Sequence, residues 1–280
     1  MTTISLLCSG TPTPSASRFG TAFALQIEDE DVILIDCGPA ATLKLALAGY
    51  SPANVSTLFL THHHYDHNGD VPCFLLSRWD KLVSNKPICI YGPSPTTTFI
   101  ERLIGPHGAY QPDYYSRMHW STCTNIYTSN GGTLPRQPPA YHAMDIVPGY
   151  VMTVGSATVT AGYAAHAQPY LDCLAYRFDT PAGSVVFSGD TEYCKSIVEL
   201  AKGADILFCM ALGDNRSSYT AMAGVTDSRD AGRIAADAEV KRLVLTHQAG
   251  GANRDEEIRW AGEVFNGEVV FGDELLVITL

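Results

Sequence analysis

Short apolar runs broken by turn-forming residues set the rhythm of this chain. Residues 3–7, 22–27 and 32–35 are rich in branched side chains and predict strands, with the acidic run Glu28-Asp29-Glu30-Asp31 as a hairpin tip between the second and third. A helix is predicted over 40–48, ended by Gly49, followed by a short buried strand over 57–60. Next come a helix over 71–79, a strand over 88–91 and a helix over 96–104. Beyond residue 148, strands are predicted over 151–154, 157–161, 174–178, 184–187, 206–209 and 243–245. Helices are predicted over 194–201, 228–238 and 255–265, and closing strands over 269–271 and 275–278. Strand clusters followed by helices, repeated in two halves, predict an α+β chain of two packed sheets with helices outside. No tandem repeat or low-complexity linker divides it, so residues 1–280 are read as one domain.

Residues 105–148 break the rhythm. They carry Pro112, Pro135, Pro138, Pro139 and Pro148 and the aromatics Tyr110, Tyr114, Tyr115, Trp120, Tyr127 and Tyr141, with little periodicity. The stretch reads as an insertion. It is either a surface excursion packed by its own aromatics, or a lid or dimer contact that lends an aromatic wall to a pocket.

Composition narrows the class. Of 280 residues 46% are apolar and 17% charged, enough for a large core and unlike a disordered chain. The formal net charge is −11, with no Lys/Arg cluster of the kind that neutralises phosphates. That balance predicts a small-molecule substrate and no long nucleic acid. Eight cysteines without a C-x-x-C pair read as buried free thiols in a reducing compartment. The first residues read as a strand and not a signal peptide, and no segment approaches membrane-spanning length, so a cytoplasmic location is expected.

The chemistry is concentrated in Thr61-His62-His63-His64-Tyr65-Asp66-His67-Asn68-Gly69-Asp70, where four of nine histidines fall directly after a hydrophobic strand. Burying several imidazoles without partners is costly, and imidazole and carboxylate are the ligands that zinc and similar ions take in hydrolytic sites. Alternate residues His62 and His64 can face one ion while Asp66 and His67 face a second.

The run His62-x-His64-x-Asp66-His67 resembles the signature of the metallo-β-lactamase superfamily. Further segments resemble its ribonuclease Z and arylsulfatase-like branch: Ser9-Gly10-Thr11-Pro12 with Arg18, Phe59-Leu60-Thr61-His62, Tyr91-Gly92-Pro93, Ala175-Tyr176-Arg177-Phe178, Ser188-Gly189-Asp190-Thr191 and Leu243-Val244-Leu245-Thr246-His247. The resemblance implies a four-layer αββα sandwich and a site for two divalent metal ions, Zn2+ before Mn2+ or Fe2+. It implies that His62, His64 and His166 bind one ion, that Asp66, His67 and His247 bind the other, and that Asp190 bridges them. Asp66 and Asp190 are the catalytic candidates, with Asp66 orienting a water activated between the ions. Homodimers are common in this branch.

One departure bears on the reaction. The branch carries a Glu and a His as a proton-transfer pair where this chain has Met210 and Val225, neither of which can carry a proton. With the acidic charge, this argues against transfer-RNA processing. It points to a hydrolase of a small organic ester-type bond: a carboxylic ester or lactone, an aryl sulfate or a phosphodiester. Amide, β-lactam or thioester hydrolysis is the alternative within enzymes. A non-catalytic binding protein or a redox di-iron module on the same fold is the alternative outside hydrolysis. His63 and Tyr65, at the variable positions of the motif, either support the ligands or simply pack, and His107, His119 and His142 are read as loop histidines.

Overall fold

The computed structural model of the chain describes residues 1–212 and 223–280. Its described strands form two sheets of seven. The first holds β1 (Thr2–Ser9), β2 (Thr21–Ile27), β3 (Val32–Ile35), β4 (Val55–Phe59), β5 (Ile88–Gly92) and β6 (Tyr141–Asp145) in succession. The second holds β7 (Val151–Val154), β8 (Ala157–Tyr163), β9 (Leu174–Thr180), β10 (Gly183–Phe187), β11 (Ile206–Met210), β12 (Arg242–Thr246) and β13 (Glu268–Phe271), while β14 (Leu276–Thr279) returns to the free side of β1. Each sheet is antiparallel on one side and parallel on the other: β3 to β6 in the first, β10 to β13 in the second. Central parallel strands are covered on both faces, and β3 and β11 accordingly bury every residue.

Between the sheets lies an aromatic core. Phe187 and Phe208 stack with centroids 5.2 Å apart, and Phe59 meets Phe178 edge-on at 5.4 Å. Fully buried Tyr176 in β9 donates its hydroxyl hydrogen to the Leu60 carbonyl at 2.7 Å, tying the second sheet to the backbone just before the histidine run. The outer face of the first sheet packs against α1 (Ala41–Leu47), α3 (Val71–Lys81) and α4 (Thr96–Ile104), through residues such as Leu45, Phe74 and Ile100. The outer face of the second packs against α7 (Lys195–Ala201), α8 (Ser228–Asp237) and α9 (Arg254–Gly262), through Ile197, Ile234 and Ala261. The result is the αββα sandwich that the resemblance implied.

The stretch 105–148 is more ordered than its proline content predicts. It contains the helices α5 (Gln111–His119) and α6 (Ser121–Ser129), and its last part is β6, the parallel edge strand beside β5. The apolar pattern is silent here for a physical reason. The two helices bury only Tyr114, and the edge strand has no fully buried residue, so none needs an apolar stripe. Among the described residues, no helix is long and apolar enough to cross a membrane.

Candidate metal centre

Four parallel strands deliver their C-terminal ends to one place, the edge at which open α/β sheets bind ligands. Asp36 follows β3, Thr61 and His62 follow β4, Asp190 follows β10 and His247 follows β12. His64 is extended at the mouth of the one-turn helix α2 (Tyr65–Asn68), which carries Asp66 and His67 inward. His166 comes from the loop joining β8 to β9. Gly189, at φ +58, makes the Asp190 turn possible. A Cβ there would stand 2.9 Å from both the Leu174 carbonyl oxygen and the Thr61 Cβ, so only glycine lets this loop close against the histidine run.

The seven side chains singled out in the sequence meet in two groups that could each hold a metal ion: His62, His64, His166 and Asp190, and beside them Asp66, His67 and His247. In the first group His64 Nδ1 stands 3.0 Å from His62 Nε2 and 3.2 Å from His166 Nε2. Asp190 Oδ2 lies 3.7 Å from His166 Nε2 and 3.9 Å from His62 Nε2. In the second, His247 Nε2 is 3.2 Å and His67 Nε2 3.6 Å from Asp66 Oδ2. Asp190 also reaches toward the second group: its Oδ1 is 3.4 Å from His67 Nε2 and its Oδ2 is 3.3 Å from His247 Nε2.

These donors fit a divalent ion. Four ligands held at about 2.0–2.1 Å around one tetrahedral ion stand roughly 3.3–3.4 Å from one another, near the spacings found here. The atoms also lack other partners: Asp66 Oδ1, His67 Nε2 and Asp190 Oδ1 are buried and make no hydrogen bond. Buried polar atoms are seldom left this way, and three on the residues of one histidine and aspartate cluster fit a cation site. The nitrogen and oxygen donor set is of the kind that zinc, manganese and iron accept.

Electrostatics follow the same logic. Burial is the largest influence on His62 and His64 and pushes both below the ordinary imidazole value. Burial acts in the same sense on His67, but the Asp190 and Asp36 carboxylates outweigh it and hold that ring well above the ordinary value. At Asp66 and Asp190 burial opposes ionisation. The hydrogen bond from His247 and the charge of His67 overcome it at Asp66, and the charges of His247 and His67 overcome it at Asp190, so both carboxyls stay below the usual range. Two buried carboxylates side by side require positive charge between them.

The support around the donors was only partly visible beforehand. Asp36, fully buried, accepts from His67 Nδ1 at 2.8 Å and from the Thr61 backbone N–H at 2.7 Å. The sequence reading passed over it; its signal was an acidic residue directly after the fully apolar strand 32–35. Thr61 Oγ1 lies 3.1 Å from His62 Nδ1, and His166 Nδ1 donates to the Gly224 carbonyl at 2.5 Å. His63 turns away: its Nε2 contacts Thr96 Oγ1 at 3.0 Å and its Nδ1 accepts from Asn68 Nδ2 at 3.3 Å. Tyr65 is exposed and donates to the Pro12 carbonyl. His107, His119 and His142 are exposed and stand outside both groups. Met210, buried beside Asp190 and His247, accepts the Thr191 N–H on its sulfur at 3.0 Å, and Val225 is half-buried.

The family model described as the metallo-beta-lactamase superfamily matches residues 17–247. A ribonuclease Z of Mycobacterium avium is 28% identical, over 98% of this chain and 97% of its own. The metallo-beta-lactamase fold protein YhfI from Bacillus subtilis superposes with a TM-score of 0.75 at 23% identity, covering 99% of this chain and 98% of that one. The short form of human tRNase Z superposes at 0.68 with 20% identity, covering 99% and 98%. The relatives named ribonuclease Z correct the expectation that a long nucleic acid is excluded. Net charge sums acidic groups over the whole molecule, whereas a polyanion meets one face, so −11 never bore on that face. With its fold, its paired histidine and aspartate groups and a family match over most of its length, this chain belongs to the metallo-β-lactamase superfamily of hydrolases.

Proposed function

We propose that the chain is a zinc-dependent phosphodiester hydrolase. In this reading His62, His64 and His166 hold one ion, Asp66, His67 and His247 hold a second, and Asp190 joins the two. The observation that carries it is Asp190, whose two oxygens lie 3.4 Å from His67 Nε2 and 3.3 Å from His247 Nε2 while the same carboxylate closes the group of His62, His64 and His166. Two ions so placed supply a water of lowered pKa and positive charge to offset the charge growing on a phosphoryl group. Asp66 contributes a buried Oδ1 without a partner, able to accept a proton from the attacking water and fix its direction. Relatives named ribonuclease Z favour the phosphodiester among the ester-type bonds considered above.

Met210 shapes which phosphodiesters are cleaved fastest. Its thioether takes the Thr191 N–H and carries no proton, so this side chain gives no help to an alkoxide leaving group. Substrates whose leaving group departs as a stable anion are favoured.

The test is a substrate panel with the zinc-loaded protein: bis(p-nitrophenyl) phosphate, p-nitrophenyl acetate, p-nitrophenyl sulfate, a β-lactam and a structured RNA. Hydrolysis of the phosphodiester, abolished by a chelator and by Asp190→Ala, is the expected result. Turnover of the acetate, sulfate or β-lactam with the phosphodiester and the RNA untouched would overturn the reading. Cleavage of the RNA, set against the aryl diester, ranks the two kinds of phosphodiester directly.

A further inference from the structure

Beside the candidate centre, three residues close a hydrogen-bonded ring on His166. The Glu192 backbone N–H donates to the Ala165 carbonyl at 2.7 Å. The Glu192 carboxylate, through Oε2, accepts the Gly224 N–H at 2.7 Å. The Gly224 carbonyl in turn accepts from His166 Nδ1 at 2.5 Å. Starting at Ala165, the path therefore runs through Glu192 and Gly224 and ends on the residue next to its start.

Gly224 is built for this approach. Its φ is +88, and a Cβ on it would stand 2.2 Å from the His166 carbonyl oxygen and 3.2 Å from the His166 Cα. No side chain fits there without moving the turn. Its neighbours are fixed as well: the Thr226 hydroxyl donates to the Thr191 carbonyl, and the Leu212 N–H donates to the Thr226 carbonyl at 2.8 Å. The turn at Gly224 is thus held on one side by Thr226 and on the other by Glu192.

A metal-binding imidazole needs its second nitrogen protonated and pinned, because that fixes both the tautomer and the ring direction. For His67 a carboxylate does this directly, through Asp36. For His166 the acceptor is a backbone carbonyl, which has no rotamer of its own and must be located by whatever holds its peptide. We propose that Glu192 is the positioning residue of the first metal site, setting His166 through the Gly224 peptide. It acts without touching the ion or the substrate. The inference rests on the reading of His62, His64 and His166 as ligands of one ion, and not on which bond the protein hydrolyses.

Three variants of the full chain test it: Glu192→Ala, Glu192→Gln and Gly224→Ala. Zinc affinity is measured by competition with a chromogenic chelator, and the visible absorption of the cobalt-loaded protein reports ligand geometry. Glu192→Ala is expected to weaken one of the two ions about 10–100-fold, the usual cost of losing an outer partner of a metal ligand, and to alter the cobalt spectrum. Glu192→Gln keeps an oxygen for the Gly224 N–H and is expected to bind as the parent does. Gly224→Ala, which displaces the carbonyl itself, is expected to match or exceed the loss in Glu192→Ala. If Glu192→Ala does not fold, Glu192→Asp, whose shorter side chain withdraws the carboxylate from the Gly224 N–H, takes its place against Gln and is expected to weaken the same ion; parent-like affinity in Asp would overturn the proposal.

Equal weakening of both ions, equal weakening by Gln and Ala, or parent-like affinity in Gly224→Ala would each overturn the proposal. A parent protein that binds no zinc sinks the ligand assignment itself. A parent that binds two ions, with Glu192→Ala unchanged, sinks the role of Glu192 alone.

Discussion

The Asp36 carboxylate accepts from His67 Nδ1 at 2.8 Å and from the Thr61 hydroxyl at 2.8 Å on Oδ2, while its Oδ1 accepts the Thr61 backbone N–H at 2.7 Å. It thereby joins the residue that opens the histidine run to the one that ends its metal-binding part. One buried carboxylate sets the direction of His67 and the exit of the chain from β4 together.

Replacing Asp36 by Asn should separate those tasks. The amide oxygen can still take the Thr61 N–H, but its NH2 cannot accept from His67 Nδ1. Zinc affinity at the second site is expected to fall about 10–100-fold, read by chelator competition, while the His62, His64 and His166 site holds its ion. Unchanged affinity at both sites would show that the His67–Asp36 bond does not support metal binding.

The chelator-treated protein should be most stable near the ordinary histidine pKa, about 6.5. His62, His63 and His64 are each held below that value, first by burial, so the unfolded chain binds their protons more readily and stability falls as pH drops below it. His67 runs the other way. Its folded value is raised, so its contribution is full below about 6.5 and is lost as pH rises through the folded value. Each proton contributes a slope of about 1.4 kcal/mol per pH unit inside its window. Urea midpoints taken between pH 5 and 9 should trace a maximum; a curve rising steadily to pH 9 would contradict it. Zinc should flatten the alkaline limb, since the ion replaces the His67 proton.

The thiols should divide sharply. Burial is the main cause that pushes Cys8 and Cys209 up to about 12 and Cys173 up to about 11, and it lifts Cys37 well above the ordinary value. Cys73 is exposed on α3, and Cys89, Cys123 and Cys194 are half-buried. Iodoacetamide at pH 8 is therefore expected to label Cys73 first and to leave Cys8, Cys37, Cys173 and Cys209 untouched until the protein is unfolded, as read by peptide mass spectrometry. Early labelling of Cys209 would mean that β11 opens far more readily than its burial allows.

Particular residues show how far the sequence reached. The strand 32–35 and the run 206–209 are legible because parallel strands covered on both faces must be apolar throughout, a requirement the residues themselves display. The run from His62 to His67 is legible because ligands to adjacent ions cluster in sequence. β6 was hidden, since an edge strand needs hydrogen bonds more than apolar side chains, and Tyr141–Asp145 has no buried residue. The surface that meets a substrate was equally hidden, so net charge could not exclude a long nucleic acid.

By itself the sequence determined two packed sheets with helices outside, through hydrophobic period, and offered His62, His64, Asp66 and His67 as ligand candidates, while the family resemblance added His166, Asp190 and His247. Only the tertiary structure decided that residues as distant as Asp66 and His247 stand around a shared point, that Asp36 pins His67 and that Gly224 receives His166. Those relationships depend on where strand ends come together across two sheets. A side chain's chemistry is written in its own position, but its partner is chosen by packing among residues far along the chain.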